Sequence, residues 1–285
     1  RSRDPHSVVA EAQKLFDAGF REVTLLGQNV DSYKWSPEEN NKARLEKTNV
    51  TSVVRFSDLL EMVAGVHPNL RVRFSTSHPK DITDDVLYAM ARHENICKAI
   101  HLPAQSGNSR ILEMMNRGYT REWYLEKVDR IREILGERCG LSTDMITGFC
   151  SETEAEHQET LSLMEAVKFD FAYMFTYSER PGTLAEKKYS DDIGSDIKQR
   201  RLEEIISLQT RHSFERNQPD VGLTYQVLVE GPSKRTPADH QGRNTANKVV
   251  VFPKEQSQPG DYVMVKIEAA RGGTLIGKII DGHDR

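Results

Sequence analysis

Residues 141–177 read LSTDMITGFCSETEAEHQETLSLMEAVKFDFAYMFTY, and this stretch decides the fold. Leu141 to Phe149 is a short apolar run that stops in glycine, which reads as a strand. Glu154 to Val167 has the length and composition of a helix. Phe171 to Tyr177 is a second apolar strand. Strand, helix and strand at this spacing form a βα unit with parallel strands.

The pattern extends upstream. Lys98 to Leu102 is a strand ending in Pro103-Ala104-Gln105-Ser106-Gly107, followed by a helical stretch broken near Gly118, with Thr120 capping a helix through Leu135. Arg71 to Ser75 is a strand broken by His78-Pro79, and Asp84 to Arg92 is helical. Glu22 to Leu26 is a strand ending at Gly27, and Phe56 to Val66 is a helix. At the start, Asp4-Pro5 places an N-cap and a first-position proline before Val8, Val9, Ala12, Leu15 and Phe16, a helix closing at Gly19. Residues 31–54 are polar and form a long loop, read as either a flap or a mobile segment. Five strands separated by helices predict an α/β fold with a parallel sheet, whose ligands bind at the carboxyl ends of the strands. All five ends are polar or glycine-rich, although βα loops are polar in any such sheet.

Downstream, Asp191 to Asn217 is a charged amphipathic helix that ends near Pro219. The chain then alternates in short strands around Thr224–Glu230, Val249–Phe252, Tyr262–Ile267 and Leu275–Ile279, with Gly272-Gly273 as a hairpin turn. This predicts a small five-stranded β-barrel and two domains, 1–217 and 218–285.

Composition narrows the class. The chain has 285 residues, 37% of them hydrophobic, with 39 Lys+Arg against 43 Asp+Glu. No run approaches the roughly 18 apolar residues of a membrane helix, and the opening residues show no signal-peptide pattern, so a soluble cytoplasmic protein is expected. The net charge of −4 gives no electrostatic argument for nucleic acid. Cys97, Cys139 and Cys150 are too scattered for a disulfide framework or a metal-cluster loop and read as structural. His78 and His101 each stand alone, which suits structural histidines better than ligands, so no metal site is expected within the chain. The opening Arg1-Ser2-Arg3, without Met, reads as the start of a fragment or of a cut chain, with a natural mature terminus as the alternative.

Several ordered motifs carry a resemblance. Gly27-Gln28-Asn29-Val30-Asp31-Ser32-Tyr33, His101-Leu102-Pro103-Ala104-Gln105-Ser106-Gly107 with Met115-Asn116-Arg117 and Tyr119-Thr120, Asp144-Met145-Ile146-Thr147-Gly148-Phe149 with Glu152-Thr153, and Tyr177 to Thr183 resemble the signatures of the tRNA methylthiotransferases of the MiaB type. These are radical S-adenosylmethionine enzymes. Gly242 to Lys248 resembles their TRAM domain. The resemblance covers essentially the whole chain and implies a partial (β/α)6-type radical SAM barrel followed by a TRAM barrel. The family's CxxxCxxC loop is absent, and Cys150 stands where the family usually has proline. The resemblance therefore implies that both 4Fe-4S clusters of the intact enzyme are ligated by cysteines in an upstream N-terminal part, and that this chain alone is inactive.

The resemblance also assigns roles. Gln28 and Asn29 would bind the methionyl end of S-adenosylmethionine, with an αL turn as the structural reading of Asn29. Gln105 and Ser106 would meet ribose hydroxyls, or else stabilise their own turn. Asp144, pointing into the barrel, needs a hydroxyl or basic partner. Ser75 and Ser77 would line the pocket or cap the strand. Arg180 would meet cofactor carboxylate or RNA phosphate, or form an ion pair. Arg235, Arg243, Lys248 and Lys254 are the RNA candidates, with a solvated surface as the alternative. The implied partner is tRNA, with no membrane, and the implied reaction is methylthiolation of N6-isopentenyladenosine beside the anticodon. Two alternatives stand beside it: a sister methylthiotransferase acting on threonylcarbamoyl-adenosine or on a ribosomal-protein aspartate, and a cluster-free RNA-binding protein.

Overall fold

The computed structural model describes residues 2–38, 53–75 and 78–280. Strands β1 (Glu22–Leu26), β4 (Arg71–Ser75), β5 (Ala99–His101), β6 (Gly140–Thr147) and β7 (Phe171–Thr176) follow one another in chain order. β1 pairs with β4, β5 with β6 and β6 with β7, all parallel. Ile96, just before β5, bridges to Val72 of β4 and joins the two sheets. Helices α1 (Pro5–Asp17), α2 (Phe56–Ala64), α3 (Asp84–Arg92), α4 (Ser109–Met114), α5 (Arg121–Leu135) and α6 (Glu154–Val167) alternate with these strands. The result is a partial (β/α) barrel. The expected loop 31–54 begins and ends in a short ribbon, β2 (Lys34–Trp35) against β3 (Val54–Arg55); its middle, 39–52, lies outside the described residues.

Local sequence explains the helix starts. Asp4 accepts from the His6 amide with Pro5 at the first helical position. Thr120 accepts from Trp123 N at α5, and Thr153 with Glu156 forms a reciprocal capping box at α6. Strand alternation divides the sheet into two faces. Val23, Val72, Phe74, Ile100, Leu141, Met145 and Ala172 are buried. Most of them join one core with helix residues Leu60, Val63, Leu87, Met90, Val128, Ile131 and Met164. Each such burial contributes about 1.5–3 kcal/mol.

Helix α7 (Leu184–Lys188) follows β7, and the long α8 (Ser195–Asn217) packs along α6 and β7. Polar clamps hold α8: Arg201 to Glu152 at 2.9 Å, His157 to Glu204 at 2.9 Å, and His212 to Glu165 at 3.0 Å.

Beyond it, β8 (Thr224–Pro232), β9 (Asp239–Arg243), β10 (Val249–Pro253), β11 (Tyr262–Arg271) and β12 (Thr274–Ile279) close a barrel in the order β10-β12-β11-β8-β9. Its interior is Val227, Val229, Val250, Phe252, Val265, Ile267 and Leu275. β9 is the strand whose sequence lacks apolar alternation. Its inward positions are His240, bonded to Ser257 Oγ at 2.8 Å, and Gly242, where a Cβ would sit 2.1 Å from the Leu228 oxygen.

The small barrel docks under the amino ends of the parallel strands. Arg71 donates to Arg243 O (2.7 Å), Arg73 to Asn244 O (3.1 Å), and Tyr262 Oη to Arg21 O (3.1 Å). A Cβ on Gly140 would lie 2.2 Å from Ala246 O, so only glycine permits this approach. Lys248 bridges Asp220 (2.7 Å), Asp170 (3.4 Å) and Arg216 O (2.6 Å).

Candidate active site

The inner face of the parallel sheet carries the chemistry. Thr24, Arg73, Ser75, His101, Ser142, Phe171 and Tyr173 line a cavity of about 420 Å³, closed below by Arg243, Asn247 and Lys248 of the small barrel. In the β5–β6 register His101 lies opposite Ser142. Its Nδ1 is 3.0 Å from Ser142 Oγ, and its Nε2 is 3.4 Å from Asp144 Oδ1. The Tyr173 ring meets the imidazole edge to face, with centroids 6.0 Å apart. Asp144 thus points to the inner face, as strand alternation requires, and its basic partner is the histidine that sequence reasoning had set aside as solitary.

At the end of β1, Gln28 is exposed and Asn29 half-buried. Asn29 has an extended backbone (φ −150°, ψ 89°) rather than the αL turn of the structural reading. Its Nδ2 donates to Asp81 Oδ2, while its Oδ1 is buried without a hydrogen-bond partner among the described residues. Gln28 and Asn29 line a second cavity of about 560 Å³, shared with Arg3, Leu25 and Tyr33. Ser75 lines the first cavity instead, and the two cavities share Thr24.

Gln105 does adopt a left-handed backbone (φ 71°) and is buried. Its N donates to Asp144 O (2.8 Å) and its O accepts from Ile146 N (2.9 Å), which fastens the loop to β6. Ser106 is turned against α6: its Oγ lies 3.4 Å from Thr160 Oγ1 and accepts from Asn108 N at 3.2 Å. Gly107 explains the turn, because a Cβ there would lie 2.5 Å from Glu159 O. The Ser106 hydroxyl is thus engaged within its own turn and against α6. Ser75 lines the first cavity, and Ser77 lies outside the described residues. Arg180 is exposed after β7, and its carbonyl accepts from Thr183 Oγ1 at 2.8 Å.

Of the RNA candidates, Arg235 and Lys254 are exposed, and Arg243 is half-buried and paired with Glu230 at 2.7 Å. Lys248 corrects the expectation of a surface cation. It is 8% exposed, and its ammonium is consumed by the domain seam described above.

All three cysteines are buried and free. Burial pushes the Cys97 thiol up to about 11 and Cys139 up to about 12, the opposite of a thiolate ligand. Among the described residues no group of three His, Cys, Asp or Glu is placed to hold a metal. The described side chains therefore do not fit an iron–sulfur cluster. The unpartnered Asn29 Oδ1 does fit a ligand that brings an N–H donor.

Sequence reasoning missed His101 and the aromatic series Phe171, Tyr173 and Phe175. The signal was available: three aromatics alternate with Ala172 and Met174 in one strand, so all share the inner face.

A parallel (β/α) partial barrel with a polar and aromatic inner wall, seated on a closed β-barrel, defines a two-barrel α/β enzyme scaffold. Residues 1–164 match the Radical SAM superfamily and residues 219–280 the TRAM domain; the chain belongs to the radical SAM superfamily. Among curated relatives, the tRNA-2-methylthio-N(6)-dimethylallyladenosine synthase of Amoebophilus asiaticus is 61% identical over 98% of this chain and 57% of its own length. The protein of the same name in Flavobacterium psychrophilum is 50% identical over 98% of this chain and 58% of its own. The chain thus spans a little under three fifths of the curated relatives it matches. Among solved structures, coproporphyrinogen III oxidase of Escherichia coli aligns with 86% of this chain and 61% of its own, at 16% identity and a TM-score of 0.48. Among the described residues, no helix is long and apolar enough to cross a membrane.

Proposed function

We propose that this chain is the barrel and TRAM portion of a tRNA methylthiotransferase that converts N6-isopentenyladenosine beside the anticodon to its 2-methylthio derivative. The observation that carries the reading is the 61% identity to a synthase of that name, which runs through both barrels rather than one. S-adenosylmethionine, bound at an iron–sulfur cluster, supplies the methyl group and the hydrogen-abstracting species in this chemistry. In this reading the cluster ligands belong to an upstream part of the same protein, since the cysteines present here are scattered, buried and free.

The chain's own residues bind and orient. Gln28 and Asn29 take the methionyl end, with the Asn29 Oδ1 as acceptor for its ammonium. Ser75, Gln105 and Asp144 set the polar edge that faces ribose, and Arg180, exposed after β7, takes a carboxylate or phosphate. Arg235, Arg243 and Lys254 on the small barrel contact tRNA phosphates.

The test uses the full protein with its upstream part, purified without oxygen. Iron and sulfide are assayed, and tRNA nucleosides from a deletion strain are analysed by mass. The expected result is two cubane clusters' worth of iron and loss of only the 2-methylthio-isopentenyl nucleoside. Loss of the threonylcarbamoyl derivative instead, or of methylthiolation on a ribosomal-protein aspartate, would move the assignment to a sister enzyme. A full-length protein that binds tRNA without iron or S-adenosylmethionine would leave only an RNA-binding role.

A further inference from the structure

The wall of β7 is an anomaly as protein surface. Phe171, Tyr173 and Phe175 are 51%, 54% and 53% exposed, while Ala172 between them is 3% exposed. Aromatic surface of this extent marks a place where something binds. We propose that this wall seats the target nucleobase: a purine unstacked from the RNA lies against Tyr173, and His101 hydrogen-bonds the ring-nitrogen edge. The inference rests on the tRNA reading above and adds residues to it.

Two features favour a base over a covering protein segment. The first is the mixture of chemistry. His101, Ser142 and Asp144 stand on the same face as the aromatics. An apolar protein segment laid over them would strip water from an imidazole–carboxylate pair and give nothing back. A heterocycle satisfies both parts, with a π-face for Tyr173 and an edge for His101. The second is geometry. The His101 and Tyr173 rings, 75° apart with centroids 6.0 Å from each other, border one space on the inner face. In the tautomer in which Nδ1 accepts from the Ser142 hydroxyl, Nε2 carries the proton. Its 3.4 Å separation from Asp144 is longer than a good N–H···O bond of about 2.7–3.2 Å, which leaves the donor able to turn to a ring nitrogen. The adjoining cavity of about 420 Å³ lies in the usual range for small ligands, roughly 300–1,000 Å³. Tyr173 and His101 are thus positioning residues for the base.

The experiment uses the full-length protein with Tyr173→Leu, Tyr173→Phe and His101→Gln. An anticodon stem-loop carrying a photoreactive adenosine at the target position is cross-linked without S-adenosylmethionine, and the labelled peptide is mapped. In parallel, methylthiolated product per 5′-deoxyadenosine formed and S-adenosylmethionine affinity are measured with the cluster-loaded enzyme. Stacking contributes about 1–3 kcal/mol per base. Tyr173→Leu and His101→Gln should therefore lose about tenfold or more in product per 5′-deoxyadenosine, with S-adenosylmethionine affinity unchanged in Tyr173→Leu, and Tyr173→Phe should retain most of the product. The wild-type label should fall within residues 171–176. An unchanged ratio overturns the proposal, as does a parallel fall in S-adenosylmethionine affinity in Tyr173→Leu, which would hand the wall to the cofactor. A cross-link elsewhere combined with a lowered melting temperature for Tyr173→Leu also overturns it, in favour of a covering protein segment. If the wild type makes no product at all, the tRNA reading fails, and the cross-link alone decides whether the wall holds a base.

Discussion

The two barrels use the same two-residue alternation to opposite ends. In the small one, the inward series of Val227, Val229, Val250, Phe252, Val265, Ile267 and Leu275 meets itself across a closed ring and excludes water. In the parallel one, the outward series is buried under helices, while the inward series of Thr24, Arg73, His101, Asp144, Tyr173 and Phe175 is left open. Closure converts an apolar face into stability. An open wall leaves large side chains unburied, and the stability of that half comes from the helix-facing side alone. The same side-chain type should therefore have very different worth in the two halves.

The sharpest form of this contrast is a pair of phenylalanines. Phe252 is 1% exposed and Phe175 is 53% exposed. Phe252→Ala should cost about 3–5 kcal/mol from lost burial and the cavity left behind. Phe175→Ala should change stability by less than about 0.5 kcal/mol. Urea denaturation of both variants measures this directly. A comparable loss at Phe175 in the full-length protein would mean that its wall is covered there, and the contrast between the barrels would collapse.

The seam between them comes next. Lys248 is buried with Asp220 and Asp170 as its anionic partners, and Tyr225 also donates to Asp220 at 2.6 Å. Asp220→Ala leaves the ammonium with one distant carboxylate and should cost about 3 kcal/mol. Because the pair ties α8 to the small barrel, the two halves should also unfold less cooperatively. Trp35 and Trp123 both lie in the parallel barrel, so tryptophan fluorescence reports that half, while far-ultraviolet dichroism sees both. The two curves should coincide in the wild type and separate in the variant. Separation already present in the wild type would mean that the seam does not couple the barrels.

Much of this was legible in the sequence, for identifiable reasons. The five parallel strands announced themselves because each is a short apolar run beside a capped helix. β9 hid because its inward positions are histidine and glycine: a tight barrel wall asks for small volume there, not hydrophobicity. Lys248 looked like a surface cation because charge is visible in a sequence and burial is not; only the fold brings Asp170 and Asp220 to it, 78 and 28 residues away. The pairing of His101 with Asp144 was hidden in the same way, since the register between β5 and β6 brings them together. Ser106 looked like a ligand-facing hydroxyl, and the contact of Gly107 with α6 turns it inward.

The smallest expected effect concerns acid, and it falls on the open half. Glu156 receives the Arg110 guanidinium (2.5 and 2.7 Å) and the Thr153 amide (2.8 Å), joining the start of α4 to the start of α6. The Arg110 hydrogen bond is the main cause that holds its carboxyl down to about 2. A carboxylate with a lowered folded-state pKa stabilises the fold fully above its ordinary value of 4.5, and that contribution disappears as pH falls from there to about 2. Glu156→Gln keeps the shape and removes the titration. The wild type should lose stability more steeply than the variant between pH 4.5 and 2, and the two should run parallel above pH 6. Tryptophan-detected denaturation at a series of pH values measures the difference. Equal slopes in the acid window would show that the Arg110 clamp does not outlast the competition with water. The acid sensitivity of the parallel barrel would then have to come from its other depressed carboxylates, with Glu154, held down to about 2 by Arg200, next in line.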